Sequence, residues 1–243
     1  MHNFPVEPTA NTLSFYTTYM CRQIEPRSVD SYLSGICSEL ETWFPDVRAA
    51  RKSPLVARTL KGCKRMYSKP IVRKCTLTKH DLALAATHVG AQPSYDDKLF
   101  LAILFIGFHA LLRLGELVWP DQRDLRSYRK LTMRNSVTVH DNDYQFVLPT
   151  HKADPFFDGS RVVVQRTQTL PDPHTAFVVF LDERDHAFPL QAELWLRADG
   201  SVPLRAWFMT RLRRIFPRDV AGHSMRAGEL HHSLPPACRP PPS

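Results

Sequence analysis

The chain has 243 residues, 43% of them hydrophobic and 23% charged, so it can bury a core as one or two domains. Nine Gly against 20 Pro exclude a Gly-rich low-complexity chain. Lys+Arg 32 less Asp+Glu 24 gives a net charge of +8, which points to a polyanionic partner, nucleic acid first and an acidic membrane second.

Residues 1–10 show no basic segment followed by an apolar run, so no signal peptide is expected. Five Cys, at 21, 37, 63, 75 and 238, include no C-x-x-C pair. They read as reduced, intracellular thiols, neither a disulfide framework nor a zinc site. Leu13, Tyr16, Met20 and Ile24 recur at helical spacing, and Val29, Leu33, Ile36 and Leu40 do the same over 27–43. Ser53-Pro54 then signals a new helix start, with Ser as cap and Pro in the first turn. Val56, Leu60, Cys63 and Tyr67 form its apolar stripe, while Arg58, Lys61 and Arg65 fall on another face. Residues 11–67 therefore read as a small helical bundle.

Every charged residue within 47–79 is basic, and Arg51, Lys52, Arg58, Lys61, Lys64, Arg65, Lys69, Arg73 and Lys74 are the candidate phosphate contacts there. A merely solvated face would intersperse acids, and this stretch has none. Residues 68–75 carry a Pro, no helical period and three positive charges, as a linker would.

Thr78 and Asp81 resemble a capping box with Asp in place of Glu, opening a helix to about His88. The most apolar run, 99–112, is too short to span a membrane and reads as part of a buried helix over 96–112. Alternation predicts strands over 135–140, 144–148 and 161–165, with Val137 and Val139 half-buried on the first. Helical patterns return at 174–181 and 203–216. The fold class is mainly α with a small antiparallel β-sheet (α+β).

Arg113 directly follows the apolar run in Leu-Leu-Arg-Leu-Gly-Glu-Leu, 111–117. Glu116 lies within its reach if the helix continues. Lys152 sits between two strands, and His223 and Arg226 stand three apart in Gly-His-Ser-Met-Arg-Ala-Gly. Each is weak alone. In this order they resemble the catalytic domain of the tyrosine recombinase (phage integrase) family, and the basic bundle resembles that family's core-binding domain. The details look most like fungal, crypton-like members.

The resemblance implies three segments: residues 1–72 as a helical, SAM-like DNA-binding domain, 73–230 as an integrase-like catalytic domain, and 231–243 as an unstructured, aberrant tail. It implies that Arg113 and Arg226 clamp the nonbridging oxygens of the scissile phosphate, a task suited to guanidinium geometry. Lys152 would protonate the leaving 5′ oxygen, His223 would assist proton transfer, and Glu116 would hold Arg113. Two Arg and a Lys supply the charge stabilisation, so no metal and no cofactor is expected. The partner would be double-stranded DNA, not a membrane, and the location intracellular, nuclear in a eukaryote. A homo-oligomer on DNA would be weakened by loss of C-terminal helices.

The chain departs from the family pattern at its end. The family's nucleophilic Tyr follows His-x-x-Arg by some thirty residues, whereas 243 − 226 leaves 17 and the last Tyr is Tyr144. The expectation is a C-terminally truncated chain, incomplete in its catalytic domain. The competing readings are a noncatalytic DNA-binding derivative of the family and an unrelated helical nucleic-acid binder.

Overall fold

The computed structural model describes residues 7–70, 75–149 and 159–227, with backbone only at 226 and 227. The chain divides into two compact units, Met1–Val72 and Arg73–Ser243.

The first unit is built from α1 (Ala10–Gln23), α2 (Pro26–Leu40), α3 (Val47–Lys52) and α4 (Pro54–Tyr67). The Ser53 side chain accepts from the Val56 amide and Pro54 occupies the first turn, so α4 starts where its sequence says. Leu13, Cys21, Val29, Leu33, Val56 and Cys63 form its core. Full burial of each Leu or Val contributes about 1.5–3 kcal/mol, enough together to hold a small bundle. The helix expected over 27–43 ends earlier, at Leu40, and α3 was not expected. Pro45 explains the break, because its ring disfavours helical backbone at Phe44 before it. Trp43 is left 77% exposed on the connection.

The second unit begins with α5 (Lys79–Val89) and α6 (Tyr95–His109). Both open on capping boxes in which Asp stands for Glu. Thr78 pairs with Asp81 as expected, and Ser94 pairs with Asp97 in the same way one helix later. Leu99, Phe100 and every residue from Ala102 to Phe108 are buried. Helix α6 is therefore apolar all round and sits in the middle of the core, touching α5, the short α7 (Leu114–Leu117), α8 (Pro173–Ala187) and α10 (Ser224–Ala227).

A three-stranded antiparallel sheet, β1 (Thr138–Val139), β2 (Asp143–Leu148) and β3 (Ser160–Gln165), lies beside α8. Tyr144, Phe146 and Leu148 point into the core from β2, as the alternation required. The first strand is shorter than expected. Residues 134–136 form a 3-10 turn instead, and Val139 is 40% exposed, because β1 is an edge strand with little packed on it. Helix α8 runs six residues past its expected end, since Arg184 is itself fully buried and bonds the carbonyls of Phe188 and Glu193. Helix α9 (Arg205–Ile215) completes the unit.

Helix α6 does not continue to Leu112. It stops at His109, and Leu111 takes φ 53°. The Leu111 amide bonds the Phe108 carbonyl at 3.3 Å and the Leu112 amide bonds the Gly107 carbonyl at 3.0 Å. This is a Schellman closure with Leu where Gly is usual. The left-handed conformation costs a β-carbon residue about 1–2 kcal/mol, an amount Gly escapes. Accordingly, Leu111→Gly should be more stable than Leu111→Ala by about 1–2 kcal/mol in urea unfolding, both having lost the same side-chain contacts. Equal stabilities would remove the strain from this account.

Candidate functional site

The Schellman stop re-aims the chain, so Arg113 is the N-cap of α7 and does not ride on a continuing helix. Glu116 reaches it through the cap. Its Oε2 accepts from the Arg113 backbone amide at 2.7 Å and its Oε1 from the Arg113 guanidinium at 3.0 Å. Glu116 is only 12% exposed while Arg113 is 34% exposed. One carboxylate thus fixes both ends of the Arg, leaving part of the guanidinium open to solvent.

The segment approaching α10 lies against this turn. A β-carbon added to Gly222 would stand 2.8 Å from Leu114 Cδ2 and 3.0 Å from Leu114 Cβ. One added to Gly107 would stand 2.8 Å from Met225 Sδ. At Gly222 the β-carbon would press on Leu114 Cβ as well as its tip, so that glycine is required by close approach; at Gly107 the neighbour is the flexible end of Met225, and the two contacts seat the His223 segment on the Arg113 segment. Met225 is fully buried while His223, two residues before it, is exposed. Ser224 is buried, and its hydroxyl accepts from the Ala221 amide at 2.9 Å. Arg226 lies on α10, but its side chain is outside the described residues, as are Lys152, Arg73 and Lys74.

In the first unit the cations divide into two sets. Asp30 on α2 accepts from Arg51 and from Lys64, each at 3.0 Å, and Glu41 pairs with Arg48. The acids missing from the 47–79 stretch are therefore supplied by α2 and by the residue that caps its C-terminus. Lys64 first, and Arg51 with it, hold the Asp30 carboxyl below the usual carboxylate range against a smaller opposing effect of burial. Arg58, Lys61 and Arg65 are exposed on α4, away from the buried Val56 and Cys63, and form no ion pair among the described residues. Lys52 and Lys69 are also exposed.

The second unit holds cations that the sequence reading passed over. Arg213 and Arg214 on α9 are exposed, without ion pairs among the described residues. The signal was available: α9 carries four basic residues, Arg205, Arg211, Arg213 and Arg214, and no acidic one among its eleven.

Of the four, Arg211 is spent on structure: it bonds Asp97 at 2.5 Å and Asp96 at 3.3 Å and lies over the Trp207 ring. Among the described residues no group of three or more His, Cys, Asp or Glu could hold a metal ion, and no helix is long and apolar enough to cross a membrane.

No protein-family model matches the chain, and no curated protein matches it. Solved structures do. The post-cleavage complex of the XerH site-specific recombinase with a palindromic difH substrate superposes with a TM-score of 0.52 at 11% identity, over 90% of this chain and 57% of that one. The XerH pre-cleavage complex with difH gives a TM-score of 0.42 at 12% identity, over 86% of this chain and 61% of that one. The present chain has the tyrosine-recombinase fold, and it spans less than two thirds of the length of the recombinase chains it matches.

The Asp30 pairs give a pH dependence of known sign. A carboxyl depressed on folding contributes stability above its unfolded value, near 4, and loses that contribution as pH falls through the folded value. Wild type should exceed Asp30→Asn in urea midpoint at about pH 6, and the gap should shrink as pH falls below about 4. A gap that stays constant down to about pH 2 would mean the ion pairs contribute nothing to it.

Proposed function

We propose that this chain is a DNA-binding protein of the recombinase type, in which the first unit grips the duplex backbone and the second clamps one phosphate. The observation that carries this reading is the seating of Gly222 on Leu114 and of Met225 on Gly107, which puts the His223 segment beside Arg113. On this reading the two units serve as core-binding domain and integrase-like catalytic domain. Arg113 and Arg226 take the nonbridging oxygens, His223 assists proton transfer, Lys152 is the general acid, and Glu116 holds Arg113 in place. Lys52, Arg58, Lys61, Arg65 and Lys69 track the backbone, while Arg51 and Lys64 share their charge with Asp30. Arg213 and Arg214 add a second cationic surface. Assignment to the fungal, crypton-like members rests on the motifs around Arg113 and His223 alone.

On this reading neither Tyr144 nor Ser224 is the nucleophile for the clamped phosphate. The last tyrosine, Tyr144, is fully buried and stacked on Phe177 at 3.9 Å, and burial pushes its hydroxyl well above the ordinary range. Ser224 is committed to the Ala221 amide. A nucleophile must be presented in line with the leaving oxygen, and a tyrosine packed inside the core is not.

One experiment tests both halves of the proposal. Binding of the chain to a nicked suicide duplex is followed against salt, and the same mixtures are denatured and examined for a protein–DNA adduct. With six or more phosphates neutralised, affinity should fall by about 10³ or more between about 50 and 200 mM salt. Replacing Arg58, Lys61 and Arg65 with Ala should lower the log–log slope by about 2.7. No adduct should form. An unchanged slope would return the three cations to an ordinary solvated face, and an adduct mapping to this chain would refute the missing nucleophile.

A further inference from the structure

The loop that carries His223 is tied down from an unexpected direction. Cys75 and Leu77, at the start of the second unit, run alongside it. The Cys75 amide bonds the Asp219 carbonyl at 3.2 Å, and the Cys75 thiol donates to Asp219 Oδ2 at 2.9 Å. Two residues on, the Leu77 amide bonds the Ser224 carbonyl at 3.1 Å. These bonds hold the loop on both sides of His223. The loop is closed on itself as well: the Val220 amide bonds Pro217, and the Ser224 amide bonds Ala221 at 2.8 Å. Leu77 is fully buried, so the strap has an anchor. Cys21, Cys37 and Cys63 are buried in the first unit, whereas Cys75 is only partly buried and hydrogen-bonded to a carboxylate.

We propose that the Cys75–Asp219 hydrogen bond is a latch that positions His223, making Cys75 and Asp219 positioning residues for the phosphate clamp. The inference rests on the phosphate-binding reading of that site. Without the thiol, the Asp219 end of the loop loses its side-chain bond to the strap and keeps the backbone bond from the Cys75 amide. The loop then opens from the Asp219 end, and His223 loses its fixed place beside Arg113. A serine at 75 keeps a donor for the same carboxylate and restores the latch.

The test is residue-resolved hydrogen exchange on the full chain. In Cys75→Ala the Leu77 and Ala221 amides should exchange roughly fivefold faster, the size of one net hydrogen bond. The α6 amides should be unchanged, and Cys75→Ser should return most of the protection. Unchanged exchange at Leu77 and Ala221, or equal acceleration in α6, would overturn the latch. In a second arm, inorganic phosphate is titrated at fixed pH and followed by the His223 ring signals. Wild type should respond, Cys75→Ala should need severalfold more phosphate, and Cys75→Ser should recover. Equal phosphate affinity in Cys75→Ala would overturn the positioning role. No response in wild type would sink the phosphate reading itself, a failure distinct from that of the exchange arm.

Discussion

The candidate site depends on one close approach. Two glycines without side chains let the 222–225 segment settle on the end of α6 and on α7, and this contact lays the segment that carries His223 on the segment that carries Arg113. Everything around it serves that approach. Apolar α6 supplies a rigid wall, the strained stop at Leu111 turns the chain at its end, and Glu116 caps the turn that follows. The buried side of the loop is apolar, through Met225, and the exposed side carries His223. A phosphate site needs that arrangement, because charged groups must be held by buried structure while remaining open to a ligand.

Charge in this protein is divided between fold and surface. Arg184, Arg134 and Arg211 are bound to carboxylates or carbonyls within the second unit, and Arg51 and Lys64 are bound to Asp30 in the first. These cations are neutralised locally and add little to a long-range field. Arg58, Lys61 and Arg65 on α4, with Arg213 and Arg214 on α9, remain for a polyanion. Net charge alone cannot make this distinction. The +8 of the chain says that a surplus exists, and only the pairing says where it is.

Local signals in the sequence were legible. Ser53-Pro54 and Thr78-x-x-Asp81 start their helices as their chemistry requires, and the alternation from Tyr144 to Leu148 is an inward face of a strand. Ser94-x-x-Asp97 carries the same signature and was passed over in favour of the apolar run beyond it. The stop at Leu111 was not legible, because a left-handed position ordinarily announces itself with Gly. The acids that pair Arg51 and Lys64 were hidden because Asp30 lies on another helix, 21 and 34 residues away. The latch between Cys75 and Asp219 spans 144 residues, and no local pattern encodes such a contact.

The central claim is that Arg113 and His223 act on one phosphate. A double-mutant cycle measures it directly, using duplex binding by wild type, Arg113→Ala, His223→Ala and the double variant at one salt concentration. Groups sharing a ligand atom should be coupled by more than about 0.5 kcal/mol, the double variant losing less than the sum of the single losses. Losses that add within about 0.3 kcal/mol would show two independent contacts and contradict the clamp.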